Sequence, residues 1–131
     1  MKIQGIAKDT LEFILKVSES AHPYEFAGLL QARDEIISEV LILPGTESTD
    51  RSAVMKLFMM PNVKSAGSVH SHPGPNINPS NADLQMFART GKYHIIVGYP
   101  YDENSWRCYD SGGKVQKLEV LDVELEDEEI L

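Results

Sequence analysis

Residues 69–83 read VHSHPGPNINPSNAD, and no other stretch restricts so tightly what this chain can fold into. His70 and His72 are one residue apart, so in an extended strand both imidazoles leave from the same face. The PGPNINP run that follows carries three prolines and reads as a rigid irregular loop. Pro79 and Ser80 then introduce a helix reaching Arg89, with Asp83 in its first turn and Gly91 as its stop. The order strand, loop, helix is thus imposed locally, and the strand and the helix start each carry potential ligands.

Two imidazole nitrogens and one carboxylate oxygen leave one corner of a tetrahedron open, the pattern of a catalytic zinc site rather than a closed structural one. Simpler arrangements use the same residues. Two strand histidines can face solvent, and Ser80-x-x-Asp83 is also what an ordinary helix N-cap with a carboxylate at N3 looks like. Spacing alone leaves these readings open.

His-Ser-His-Pro, six residues, then Ser-x-x-Asp resembles the signature of the JAMM (MPN-plus) metalloproteases. Upstream, Pro23-Tyr24-Glu25-Phe26-Ala27-Gly28 is similar to the family's Pro-x-Glu-x-x-Gly segment. The likeness extends over nearly the whole chain and is closest to the small single-domain archaeal members. It implies an α/β single domain with a mixed sheet flanked by helices, the MPN (cytidine deaminase-like) fold. It also implies one zinc ion held by His70, His72 and Asp83, with Glu25 as general acid–base and Ser80 as donor to the oxyanion. No spacing rule joins Glu25 to the histidines; that pairing rests on the resemblance.

The activity so implied is hydrolysis after the C-terminal glycine of a ubiquitin-like sulfur-carrier protein. Either the carrier is released from target lysines or a C-terminal extension is trimmed from its precursor. The chain has short segments where eukaryotic deubiquitinases carry the two insertions that grip ubiquitin. Two competing classes make different demands. A non-catalytic MPN scaffold would show substitutions at Glu25, His70, His72, Ser80 or Asp83, and there are none. A zinc deaminase would need a Pro-Cys-x-x-Cys segment, and Cys108 is the single cysteine.

Charge narrows the partners. The net charge is −8, yet residues 119–131 hold seven acids and no base, leaving 13 acids against 12 bases in the body. A nearly neutral body argues against a nucleic-acid binder, which would show a basic patch. We expect one domain over residues 1–121 and a solvated acidic tail over 122–131. At 131 residues and 42% apolar content the chain can bury a core without staples. It has no apolar run of membrane-spanning length and no signal-peptide pattern, so a cytoplasmic location is expected. A lone Cys108 suits a reducing compartment and reads as a small core residue.

Asp9 with Glu12 predicts a capped helix over residues 9–20, its apolar face formed by Leu11, Ile14 and Leu15. Residues 26–32 and 36–43 predict a hairpin turning at Arg33-Asp34, with Glu25 at its entry. A polar loop over 45–52 and a strand over 53–60 are expected next, the strand's methionines serving as core or lid packing. Further strands are expected over 67–72, 93–99, 105–109 and 115–121. Trp106 reads as a core anchor, His94 as a packed or edge histidine, and His22 as a helix C-terminal residue facing the dipole.

Overall fold

The computed structural model describes residues 2–42 and 65–123. Strand β1 (Gly5–Ala7) runs straight into helix α1 (Lys8–Ala21), followed by β2 (Ala27–Arg33) and β3 (Ile36–Ile42). After residue 64 come β4 (Gly67–Ser71), helix α2 (Asn81–Phe87), β5 (Tyr93–Val97), β6 (Trp106–Tyr109) and β7 (Val120–Leu121). The expected loop 45–52, strand 53–60 with its methionines, and most of the acidic tail lie outside the described residues.

The seven strands among the described residues form one sheet in the order β6-β5-β4-β2-β3-β1-β7. Strand β4 pairs parallel with β5, and β1 runs parallel to both β3 and β7, while the β2/β3, β2/β4 and β5/β6 pairs are antiparallel. The sheet is therefore mixed, and α2 is the crossover that the parallel β4–β5 pair requires.

Strand alternation sorts the side chains into two cores. On one face Leu11, Ile14 and Leu15 of α1 join Phe26, Leu30, Val69, Ile95, Val97 and Cys108. On the other, Met86 and Phe87 of α2 join Ala27, Leu29, Ile96 and Tyr109. Neighbours such as Phe26 and Ala27, or Ile95 and Ile96, fall in different cores, as a side-chain period of two demands. Trp106 is half-buried against the α1-side core rather than an anchor within it, its indole N–H donating to the Glu103 carbonyl at 3.0 Å.

Several expected boundaries shift. Helix α1 begins at Lys8 with Ala7 as N-cap and no side-chain cap, so Asp9 sits inside the first turn. Strand β1 feeds the helix directly and leaves no room for the predicted capping turn. The hairpin turns at Asp34 and Glu35, which have φ of 52° and 67°. A two-residue turn left-handed at both positions matches the twist of the flanking strands. Helix α2 stops at Phe87 rather than Arg89. Residues 115–121 supply only an isolated bridge, Tyr109 to Val115, and the two-residue β7, which pairs with β1 instead of continuing a meander.

Gly67 and Gly91 let β4 sit this close to its surroundings. A Cβ on Gly67 would collide with the Tyr93 carbonyl, and one on Gly91, whose φ is +113°, would lie 2.6 Å from the Ala66 oxygen.

Candidate metal centre

The cluster lies at the carboxyl end of β4, outside the ends of the two parallel strands, where open α/β sheets place ligands. His70 is fully buried within β4, facing α2, and Val69 points into the opposite core. His72 stands just beyond the strand end. Asp83 approaches from the first turn of α2. His70 Nε2 lies 3.2 Å from His72 Nε2 and 3.1 Å from Asp83 Oδ1, and His72 Nε2 lies 3.4 Å from Asp83 Oδ2. One ligand atom from each residue falls within 4.8 Å of the others.

Asp83 also completes a capping box. Its N–H donates to Ser80 Oγ at 3.1 Å, and its Oδ2 accepts the Ser80 N–H at 2.9 Å. The capping box of Ser80-x-x-Asp83 is thus formed by the same Asp83 carboxylate that faces the two imidazoles. Ser80 itself is exposed and, while accepting from Asp83, retains its own hydroxyl proton for another acceptor.

Electrostatics favour a cation in this cluster. Burial works against the Asp83 charge, but hydrogen bonds from His70, His72 and the Ser80 backbone and the field of His70 outweigh it and hold the carboxyl well below its usual range. Burial likewise opposes charge on His72, and Asp83, the Asn76 carbonyl and Glu25 together raise its pKa. The Asp83 ion pairs run only to imidazoles, so among the described residues no Lys or Arg balances it. A buried carboxylate facing two imidazole nitrogens is a donor set that fits zinc.

The tautomer of His72 is set by a backbone carbonyl. Its Nδ1 lies 2.7 Å from the Asn76 carbonyl, so that nitrogen donates and Nε2 keeps its lone pair. His70 differs, since its buried Nδ1 has no hydrogen-bond partner among the described residues.

Glu25 precedes β2, and the register brings it to the cluster. Ala27 pairs with His70, the Ser71 N–H donates to the Phe26 carbonyl at 2.9 Å, and the Phe26 N–H donates to Ser71 Oγ at 2.8 Å. One step further out, Glu25 comes opposite His72 on the same face. Its charge contributes to the raised pKa of His72 and, after burial, to that of Tyr101.

The remaining chemistry-bearing residues stay outside the cluster. His94 is buried between Ser68 Oγ, 2.8 Å from its Nδ1, and the Gly91 carbonyl, 3.0 Å from its Nε2, and it stacks on Phe87 at 4.3 Å. Burial drives its pKa down to about 4. Burial pushes the Cys108 thiol up to about 11, which leaves it an inert core residue. His22 caps α1 through its backbone N–H, but its ring turns to the Tyr101 hydroxyl rather than to the helix carbonyls. Nothing in the sequence singles out Tyr101 or the Asn76 carbonyl, because contacts to backbone carbonyls leave no residue pattern.

Residues 7–109 match the family model of prokaryotic homologs of the JAB domain. The chain belongs to that family. A relative described as a probable metalloprotease in Haloferax volcanii is 40% identical over 139 residues, covering 98% of this chain and 86% of that protein. A solved structure described as a JAMM metalloprotease-like zinc site in the proteasome and signalosome is similar at a TM-score of 0.75 and 41% identity, covering 92% of this chain and all of that one. A JAB1/MPN domain protein from Archaeoglobus fulgidus is similar at a TM-score of 0.74 and 41% identity, with 91% and 97% coverage. This JAB-domain protein is a zinc metalloprotease with the α/β MPN fold. Among the described residues no helix is long and apolar enough to cross a membrane.

Proposed function

We propose that His70, His72 and Asp83 hold the zinc ion, that Glu25 is the general acid–base and that Ser80 stabilises the developing oxyanion. The convergence of the two Nε2 atoms and the Asp83 carboxylate, with Glu25 opposite His72 in register, is the observation that carries this assignment. When bound, zinc supplies the Lewis acidity that makes water nucleophilic near neutral pH and polarises a carbonyl. Glu25 takes a proton from the attacking water as the new C–O bond forms, then returns it to the amine nitrogen as the C–N bond breaks. The amine leaves neutral. Ser80 Oγ accepts from the Asp83 N–H and directs its own proton to the substrate oxygen on which charge accumulates. His94 takes no part, because its ring is committed to Ser68 and Gly91.

The substrate in this reading is the C-terminal tail of a ubiquitin-like sulfur carrier, cleaved after its terminal glycine and released from a lysine side chain. Trimming of a linear precursor is the second form of the same reaction. The family likeness and the short segments where deubiquitinases carry ubiquitin-gripping insertions support a small carrier over tight ubiquitin recognition. The test is cleavage by zinc-loaded protein of a carrier joined to lysine and of the same carrier with a linear extension, with Glu25→Gln as control. Loss of the lysine-linked substrate, absent in the control, is expected. Cutting of the linear form alone would make the enzyme a precursor protease, and equal inertness of wild type and control on both would reject the carrier.

A further inference from the structure

Strand β4 ends at Ser71, so His72 stands one residue past the regular ladder and is held by separate hydrogen bonds. Its N–H donates to the Val97 carbonyl at 2.7 Å, its Nδ1 donates to the Asn76 carbonyl at 2.7 Å, and its own carbonyl accepts the Tyr101 hydroxyl at 3.1 Å. The phenol reaches it from the loop between β5 and β6. A phenol has one proton, and here that proton goes to the His72 carbonyl. His22 Nδ1, 2.8 Å from the same oxygen, must therefore be the donor to it. The result is a directed chain from the His22 ring through Tyr101 to the backbone of His72.

Packing does not account for that hydroxyl. Tyr101 is only 7% exposed and belongs to the α1-side core, with its ring at 5.7 Å from His22 and 6.0 Å from Tyr99 in edge-on contacts. Phenylalanine would fill the same volume. The backbone also carries a cost, since φ at Tyr101 is +64°, a region disfavoured for an L residue by about 1–2 kcal/mol. Backbone bonds hold it there: Tyr101 N–H to Gly98 at 2.8 Å, and Tyr99 N–H to Gly74 at 3.0 Å, the latter tying this turn to the loop that follows His72.

We propose that Tyr101 is a positioning residue, which through its hydrogen bond to the His72 carbonyl, set in turn by His22, fixes where the His72 imidazole stands. The inference rests on His72 being a zinc ligand, as proposed above. Removing the hydroxyl frees the end of β4 to shift and misplaces one ligand, while the ring still fills the core. Partners of metal ligands that orient them in this way change metal affinity by about 10–100-fold when removed.

The test compares wild type, Tyr101→Phe, His22→Leu, His22→Asn and His72→Ala as full chains. Zinc affinity is measured by competition with a chromogenic chelator, ligand geometry by the visible spectrum of the cobalt-substituted protein, and folding by the melting temperature without metal. Tyr101→Phe should fold with a melting temperature lowered by no more than the loss of two hydrogen bonds, bind zinc at least about tenfold more weakly and shift the cobalt bands. Its kcat should fall more than its KM rises. His22→Leu should weaken zinc by about threefold, within the net worth of one hydrogen bond, and His22→Asn, which keeps a donor near Nδ1, should restore it. Wild-type zinc affinity and an unshifted cobalt spectrum in Tyr101→Phe overturn the inference. Should that variant not fold, unchanged zinc affinity in His22→Leu overturns it instead. Zinc binding by His72→Ala equal to wild type would remove the ligand assignment itself, and the inference with it.

Discussion

Where α1 covers the sheet, Leu11, Ile14 and Leu15 meet Phe26, Leu30, Val69, Ile95 and Val97, and the buried hydroxyls of Thr10 and Ser18 are each answered by a backbone carbonyl. Where α2 covers it, Met86 and Phe87 pack among Ala27, Leu29 and Ile96, but His70, Ser68, His94 and Asp83 are buried beside them. The first face carries stability that burial alone supplies. The second spends part of its area on polar groups, each of which must find a partner or cost free energy. Ser68, His94 and Gly91 satisfy one another, whereas the His70, His72 and Asp83 set has a surplus of acceptors that a cation can fill. Most of the scaffold and most of the chemistry thus lie on opposite sides of the sheet, with Tyr101 reaching from the first to the end of β4, and substitutions on the two sides should fail in different ways.

The sharpest separation is expected from Glu25→Gln. Peptide hydrolysis should fall by about 10³-fold, equivalent to about 4 kcal/mol in the barrier, with the metal-free melting temperature unchanged. A parallel loss of stability would mean that Glu25 is structural. On the opposite face, Ile14→Ala, at a fully buried position, should cost about 3–4 kcal/mol in denaturant unfolding and leave the zinc affinity of the folded fraction as it was. A changed zinc affinity there would couple the two faces and break the comparison.

Acid should act on the α2 face. His94 has its folded pKa lowered to about 4 from 6.5, so below pH 6.5 the unfolded chain binds the proton that the folded chain refuses. The stability this lends is complete above pH 6.5 and is lost as pH falls towards 4, a change of about 3 kcal/mol. The raised pKa of His72 works in the opposite direction, favouring the fold at low pH, so the measurement needs a partner variant. In metal-free protein, His94→Gln should flatten the pH dependence of the melting temperature; an unaltered slope would place the acid sensitivity elsewhere.

Saturating zinc at a hundredfold above its dissociation constant should add about 2.7 kcal/mol to unfolding, reversed by chelation and absent in Asp83→Asn. Ser80→Ala should cost the fold about 1 kcal/mol for a lost N-cap. A larger fall in turnover than in stability would identify the hydroxyl as a donor to the reaction rather than only to the helix.

What the sequence revealed depended on whether the signal was local. His70, His72, Ser80 and Asp83 are tied by short spacing within one strand, loop and helix, so their candidacy was visible locally, and the family pattern then chose between a metal site and a plain helix cap. Glu25 is 45 residues upstream of His70, and the pairing of β2 with β4 that joins them leaves no spacing rule; the family pattern supplied it. Strand β1 is three residues long and merges into α1, too short to show alternation, and it displaced the cap expected at Asp9. Residues 115–121 alternate like a strand, yet most of their length finds no ladder partner, because β6 meets them only at Val115 and Gln116. Tyr101 was invisible for a different reason, since its partner is a backbone carbonyl that any residue at position 72 would offer.

The double use proposed for Asp83 bears on how such a domain would age once hydrolysis stopped mattering. Glu25 and His72 stand at the rim and do little for the helix, so drift could remove them at small cost to the fold. Asp83 would still be needed to close the capping box that starts α2, and Ser80 with it. A lineage descended from this enzyme and turned to other work would therefore lose the rim first and keep the serine and aspartate longest, as vestiges maintained for architecture rather than for catalysis.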